Sequence, residues 1–386
     1  MAEHTLEDFA LSEAESLALT LAKLALVETD LENDRSHTNR IVKREVIRRY
    51  CSLFEQLLEV PALSDDAHEL PWSKARELAE ELAVADGGSL SGRLRSSLAP
   101  LGEDARRYLI TSPELAATSL GGVDQRRRAI VLMIELAAFQ PWPESTDWNT
   151  GKRREALFAF VDAMPAPVDH ELMREIDKAL TVAVRRLSRR EVDKRKVVAV
   201  VAGGAAVGVL TGGLAAPLIG GAVGGAMGLS GAAATSAGLA LLGGGSVAAG
   251  GLGMAGGTAI IAGTAGVGAA GVGAAGTWLA GAPPTDVVVE SAKLEVLFEY
   301  LLVREEKSDD LQRLVVTRLQ EQISDLVTEI NDLTSLVGGL KAASDERDEL
   351  QVRLDEEIEK RRVLEKSLES FQQQVRQGDA QRALRS

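Results

Sequence analysis

VVAVVAGGAAVGVLTGGLAAPLIGGAVGGAMG (Val197–Gly228) opens an 89-residue tract, 197–285, that holds no charged residue and closes on IIAGTAGVGAAGVGAAGTWLAGAPPT (Ile260–Thr285). Of the chain's 37 glycines, 27 fall in it. In water each interior helical Gly costs roughly 1 kcal/mol relative to Ala. In hydrocarbon an unsatisfied backbone amide costs several kcal/mol, so a spanning chain must be helix or closed barrel. Strand alternation is missing, which leaves helices. The length predicts two to four spans of ~20 residues, broken near Pro217, Gly243 to Gly245 and Gly263. Small residues every fourth position let helix backbones approach closely. Gly204, Gly208, Gly212, Gly220, Gly224 and Gly228, with Ala216 in register, are therefore the candidate helix-packing residues. Bulky apolar residues are sparse, so each span inserts only marginally. A state covered by protein until a signal arrives, and a low-complexity core in water, stay open as alternatives.

Charges flank the tract unequally. Arg185, Arg186, Arg189, Arg190, Lys194, Arg195 and Lys196 precede it, and DVVVESAKLEVLFEY, with Lys293 its one cation, follows it. Basic residues next to a span mark its cytoplasmic side. Arg189, Arg190, Lys194, Arg195 and Lys196 are thus the candidate membrane-flanking residues, and the expected location is multi-pass in an inner or plasma membrane with the N-terminal region cytoplasmic. The acidic far flank suits an odd number of spans with the C-terminus outside, whereas the long charged C-terminal region, which lacks a translocation signal, favours an even number.

Upstream, residues 1–196 read as a helical domain of about seven helices. FALSEAESLALTLAKLALVETDL (Phe9–Leu31) and RIVKREVIRRYCSLFEQLLEV (Arg40–Val60) are the first two. Ser73–Ala83, Leu101–Ile110, Asp124–Phe139, Arg153–Met164 and Asp169–Leu187 follow. Asp86-Gly87-Gly88, Gly121-Gly122, Pro141, Pro143 and Pro165 to Pro167 are the stops. Catalytic patterns fail on inspection. His170-Glu171 begins a zinc-protease pair, but Arg174 stands where the second His is needed. His4, His37 and His68 have no ligand-spaced partner. Asp65, Asp66 and Glu69 read as a solvated loop, and Cys51 as a small core hydrophobe.

Downstream, residues 286–386 begin with an apolar helix (Val287–Val303) and continue into heptads. Val316, Leu319, Ile323, Leu326, Ile330, Leu333, Val337 and Leu340 alternate spacings of three and four, which is a coiled-coil seam. Gly338-Gly339 and Ser344 interrupt it. A second seam runs through Leu350, Leu354, Leu364, Leu368, Phe371 and Val375, with Glu357 and Arg361 at seam positions. The pattern predicts a hinged coil, either self-associating or folded back as a hairpin.

The net charge of −14 and pI near 5.0 argue against nucleic acid as a partner. One cysteine allows no internal disulfide, and the acidic opening MAEHTLEDFA is no signal peptide. Gly266-Val-Gly268-Ala-Ala-Gly271, with Glu290 nineteen residues on, matches a dinucleotide fingerprint. It repeats five residues later inside a glycine-rich tract and is followed by heptads rather than βα units, so a dinucleotide-binding enzyme is only a second alternative. GVLTGGLAAPLIGGAVGG (Gly208–Gly225), after a helical region and a basic run, resembles the glycine-rich segment of the transmembrane and coiled-coil domain proteins, whose members continue into an α/β hydrolase. The hydrolase is absent here. The resemblance implies membrane residence for 197–285 and no esterase activity.

The sequence thus predicts an all-α, three-part chain: residues 1–196, the glycine-rich hairpins of 197–285, and the coil of 286–386. The expected role is a non-enzymatic membrane effector, bilayer-perturbing or pore-forming, with the lipid bilayer, further copies of itself and a protein on the coil as partners. A membrane-tethered scaffold without permeabilising activity is the alternative. No cofactor or metal is expected.

Overall fold

The computed structural model describes residues 11–188 and 284–383, apart from breaks at 12, 59, 64–65, 85–88, 140, 143–145, 147, 307–308 and 341–344. Those residues are mostly helical, with no named strand among them. Among the described residues nine helices come before the glycine tract: α1 (Glu13–Glu32), α2 (His37–Leu57), α3 (Trp72–Val84), α4 (Leu90–Leu98), α5 (Glu103–Ile110), α6 (Pro113–Leu120), α7 (Arg126–Ala138), α8 (Thr150–Ala163) and α9 (His170–Ser188). After it come α10 (Pro284–Leu297), a π-helical turn (Phe298–Glu306), α11 (Asp309–Gly339) and α12 (Asp345–Ala383).

The centre is α1. Every residue from Leu17 to Val27 is buried, because its apolar side chains run round the whole helix and such a helix must be enclosed. Helices α2, α6, α7 and α8 surround it. Helix α7 is buried likewise from Ala129 to Ala137. Against α7 and α9 lies α10, with Val287, Val288, Ala292, Leu294 and Val296 all under 5% exposed. One continuous hydrophobic core therefore joins residues on both sides of the tract.

Helices α4 and α6 are additional to the seven expected. Each is short and fixed by its N-cap: Ser89 Oγ accepts from Gly92 N, and Ser112 Oγ from Leu115 N ahead of Pro113 in the first turn. The segment read as one helix over Val287–Val303 changes to π geometry at Phe298.

The membrane reading needs correction. No helix among the described residues is long and apolar enough to cross a membrane. The central helix α1, apolar around its whole girth, encloses Lys23 and Asp30 and is covered by other helices. The long ones, α11 and α12, each carry a charged outer face. This overturns the expected multi-pass location, the cytoplasmic assignment that depended on it, and the bilayer-perturbing, pore-forming or membrane-tethered role. The glycines Gly204, Gly208, Gly212, Gly220, Gly224 and Gly228 and the cations Arg189, Arg190, Lys194, Arg195 and Lys196 lie outside the described residues, as does the fingerprint at 266–271.

Candidate functional site

Three apolar helices each carry a buried charge, Lys23, Glu135 and Lys293, and the fold brings the three together. Lys23 (α1) and Lys293 (α10) donate to Glu135 (α7), Lys23 Nζ to Oε2 at 3.2 Å and Lys293 Nζ to Oε1 at 2.7 Å. All three are buried. Burial alone would push the Glu135 carboxyl up, but Lys293 and Lys23 more than offset it and hold it below its ordinary value. The Lys23 ammonium also lies 5.5 Å from the Phe139 ring centre.

Around this triad the junction is latched by charge at its rim. Arg186 pairs with Glu295 on α10 and donates to Ser370 Oγ on α12 at 3.1 Å, so this member of the basic run faces protein. Glu175 accepts from Tyr300 Oη at 3.3 Å and from Arg304 at 3.1 Å. Burial, only partly offset by Arg304, pushes the Tyr300 phenol up to about 12. Arg126 reaches Glu305 at 2.9 Å. Phe298 and Phe371, both fully buried, stack at 4.6 Å and tie the π turn to α12. A π turn leaves carbonyls out of register with the next helix. Buried Gln312 meets one of them, donating from Nε2 to Leu302 O at 2.8 Å.

From this junction α11 and α12 run back antiparallel as a hairpin: Val316 is opposite Val375 at its base, and Ile330 packs with Leu354 near its tip. Seam residues Leu319 and Leu326 join the main core, and Ile323 packs against it. Ile330, Leu333 and Val337 form a separate cluster with Leu354 and Leu350, and Leu340 is half-buried. Arg353 bridges to Glu329 at 2.6 Å. Glu357, buried in the seam, pairs with buried Lys360 at 2.6 Å, and its Oε2 has no hydrogen-bond partner. Burial pushes its carboxyl up.

Elsewhere the polar groups hold the fold. Arg106, 2% exposed, donates to the carbonyls of Pro61, Leu98, Ala99 and Leu101 and to Glu55. Glu69, read as a loop residue, accepts from Ala105 N and so caps α5. Lys43 bridges Asp30 at 2.5 Å and Asp34 at 2.7 Å beneath the Trp142 ring. Cys51 borders a cleft of about 640 Å³ between α2 and α5, but burial and Glu28 push its thiol far up, so it stays protonated. His170 stacks on Phe158 and meets Asp162 at 2.8 Å. Among the described residues no group of three His, Cys, Asp or Glu is placed to hold a metal ion.

Sequence reasoning missed the triad. Its signal was present as a charge inside each of LALTLAKLALV, AIVLMIELAA and VVVESAKLEVLF, the last of which also holds Glu290 and Glu295. No protein family, curated protein or solved structure matches this chain.

Proposed function

We propose that the protein is a non-enzymatic assembly factor: a closed helical body that presents the α11/α12 hairpin as an antiparallel coiled-coil arm for protein contacts. The observation that carries this is the separate core of the arm. Among the described residues, Ile330, Leu333, Val337 and Leu354 form a hydrophobic cluster with Leu350 that is separate from the main core, while the base is anchored through Phe298–Phe371 and Arg186–Ser370. A polar layer inside a seam sets register and partner choice at some cost in stability, and Glu357–Lys360 supplies one. Further copies of the chain, or another protein, bind along the arm.

The test is the size of the full chain in cell extract. The wild-type protein sediments as an assembly, and Leu333→Asp with Val337→Asp reduces it to monomer mass while the body keeps its melting transition. An unchanged assembly in that variant refutes the role.

A further inference from the structure

We infer that the outer face of α12 near the arm tip docks on the outer face of α2 of a second copy of this chain. The inference rests on the assembly role and names its partner.

The chain is acidic, at −14, yet α2 turns Arg44, Arg48 and Arg49 to solvent, with Arg40 half-buried beside them and Glu45 as the one acid among them. Residues four apart share a helix face. Arg40, Arg44 and Arg48 therefore form one row, and Ile41, 56% exposed, lies beside it. Arg48 pairs with Glu45 at 3.2 Å and Glu103 at 3.5 Å, and Arg49 with Glu45 at 3.1 Å. Arg44 takes part in none of those pairs.

Helix α12 carries the opposite pattern. Asp348, Val352, Asp355 and Glu359 follow at spacings of four, three and four on the side away from the seam residues Leu350, Leu354 and Glu357. Glu349 and Glu356 widen the row. Val352, 55% exposed, sits in its middle. Gln351 donates to Asp355 at 2.9 Å, Glu359 pairs with Arg362, and Arg353 is occupied by Glu329 on the partner helix, so the outward charge is acidic.

Among the described residues neither face is packed beneath another helix, and Arg48 reaches Glu103 of α5 from the edge of its own. Helix α2 packs mainly on α1 and α5, and α12 on α9, α10, α11 and the π turn. Each face is a charged row around one bare aliphatic side chain, and the two rows are opposite in sign. Complementary charge selects partner and register, and the apolar pair supplies contact once water is excluded. Because one chain carries both faces, two copies can close reciprocally, the arm of each on the α2 of the other.

Sedimentation velocity of the full-length protein at ~50 mM and ~500 mM salt tests this, since exposed charges are screened within ~10 Å at 0.1 M and ~3 Å at 1 M. Association at low salt and at least tenfold weaker association at high salt are expected. Arg44→Glu with Arg48→Glu makes both faces acidic, and Asp348→Arg with Asp355→Arg makes both basic. Each variant alone is monomeric, and mixing the two restores the dimer, which also shows that both are folded. Either variant assembling as well as wild type, or failure of the mixture to associate, overturns the contact. If the contact fails but Leu333→Asp with Val337→Asp still disperses the assembly, the arm keeps its role with a different partner face. If that arm variant also assembles normally, the assembly role itself is refuted.

Discussion

Lys293 Nζ lies 2.7 Å from Glu135 Oε1 in the interior, and through this contact the C-terminal helices are bonded to a body whose sequence ended before the glycine tract. Glu135 holds two lysines from two other helices. Its replacement by Gln is expected to destabilise by ~3–5 kcal/mol, the range for breaking a buried ion pair from one side. Lys293→Met leaves the Lys23 contact and costs less. Urea unfolding checks the order, and equal losses in the two variants would contradict it.

The same carboxyl sets an acid limit. Its folded pKa lies below the ordinary value, so the stability it contributes is complete above the unfolded value near ~4.3 and is lost as pH falls through the folded one. Stability should fall steeply with pH below about 4, and Glu135→Gln should flatten that part of the curve. A wild-type melting temperature unchanged between pH 5 and pH 3 would rule this out.

Helices α9 and α10 run antiparallel, with Arg186 beside Glu295 and Glu175 beside Tyr300. Pro284, eleven residues before Glu295, lies roughly 16 Å along the helix from it. A Gly/Ser linker of about ten residues reaches up to ~33 Å, enough to rejoin Ser188 to Pro284. Replacing 190–283 with it should leave the melting temperature within a few degrees of wild type by circular dichroism. Loss of the cooperative transition would show that the two helical parts do not fold together without the tract.

Arg106 satisfies four carbonyls and Glu55 at once. Lysine has the charge but not the planar set of five donors, so Arg106→Lys should leave buried carbonyls unmet at ~1–3 kcal/mol each. A loss of at least ~3 kcal/mol is expected by denaturant titration. A loss under ~1 kcal/mol would mean that water or other donors replace the guanidinium.

How far this fold could be read from sequence depended on length and on range. Heptads over Val316–Leu340 located α11 within a turn of its C-terminal end, because 3.5-residue periodicity over many turns has one structural meaning. Helices α4 and α6 escaped because LSGRLRSSL and PELAATSL are too short to show a period and depend on the caps Ser89 and Ser112. Arg186 was read with its basic neighbours as a boundary signal. Its partner Glu295 lies more than a hundred residues on, and local pattern carries no information about such a pairing. The charges at 23, 135 and 293 were visible inside apolar runs, yet nothing in the order of residues joins them.

Glu357 carries the last prediction. Burial raises its carboxyl pKa in the folded arm, an effect Lys360 only partly offsets. A carboxyl whose folded value is raised destabilises the fold when ionised, and the penalty lifts as pH falls through that raised value toward ~4.3. The arm should therefore protect its backbone amides better near pH 5 than at pH 7, read by hydrogen exchange over 330–354 after correction for the intrinsic rate. Glu357→Leu, combined with Lys360→Leu so that no buried ammonium is left unpaired, should strengthen protection at both pH values and abolish the difference, since replacing both members of a buried pair by apolar side chains removes the cost of burying charge. The assembly reading makes Glu357 and Lys360, both on α12, a polar layer facing α11, so their loss should also loosen register. Cross-linking between cysteines placed at 330 and 354 reports that register. If Glu357→Leu with Lys360→Leu keeps the same pH response, another group governs the arm.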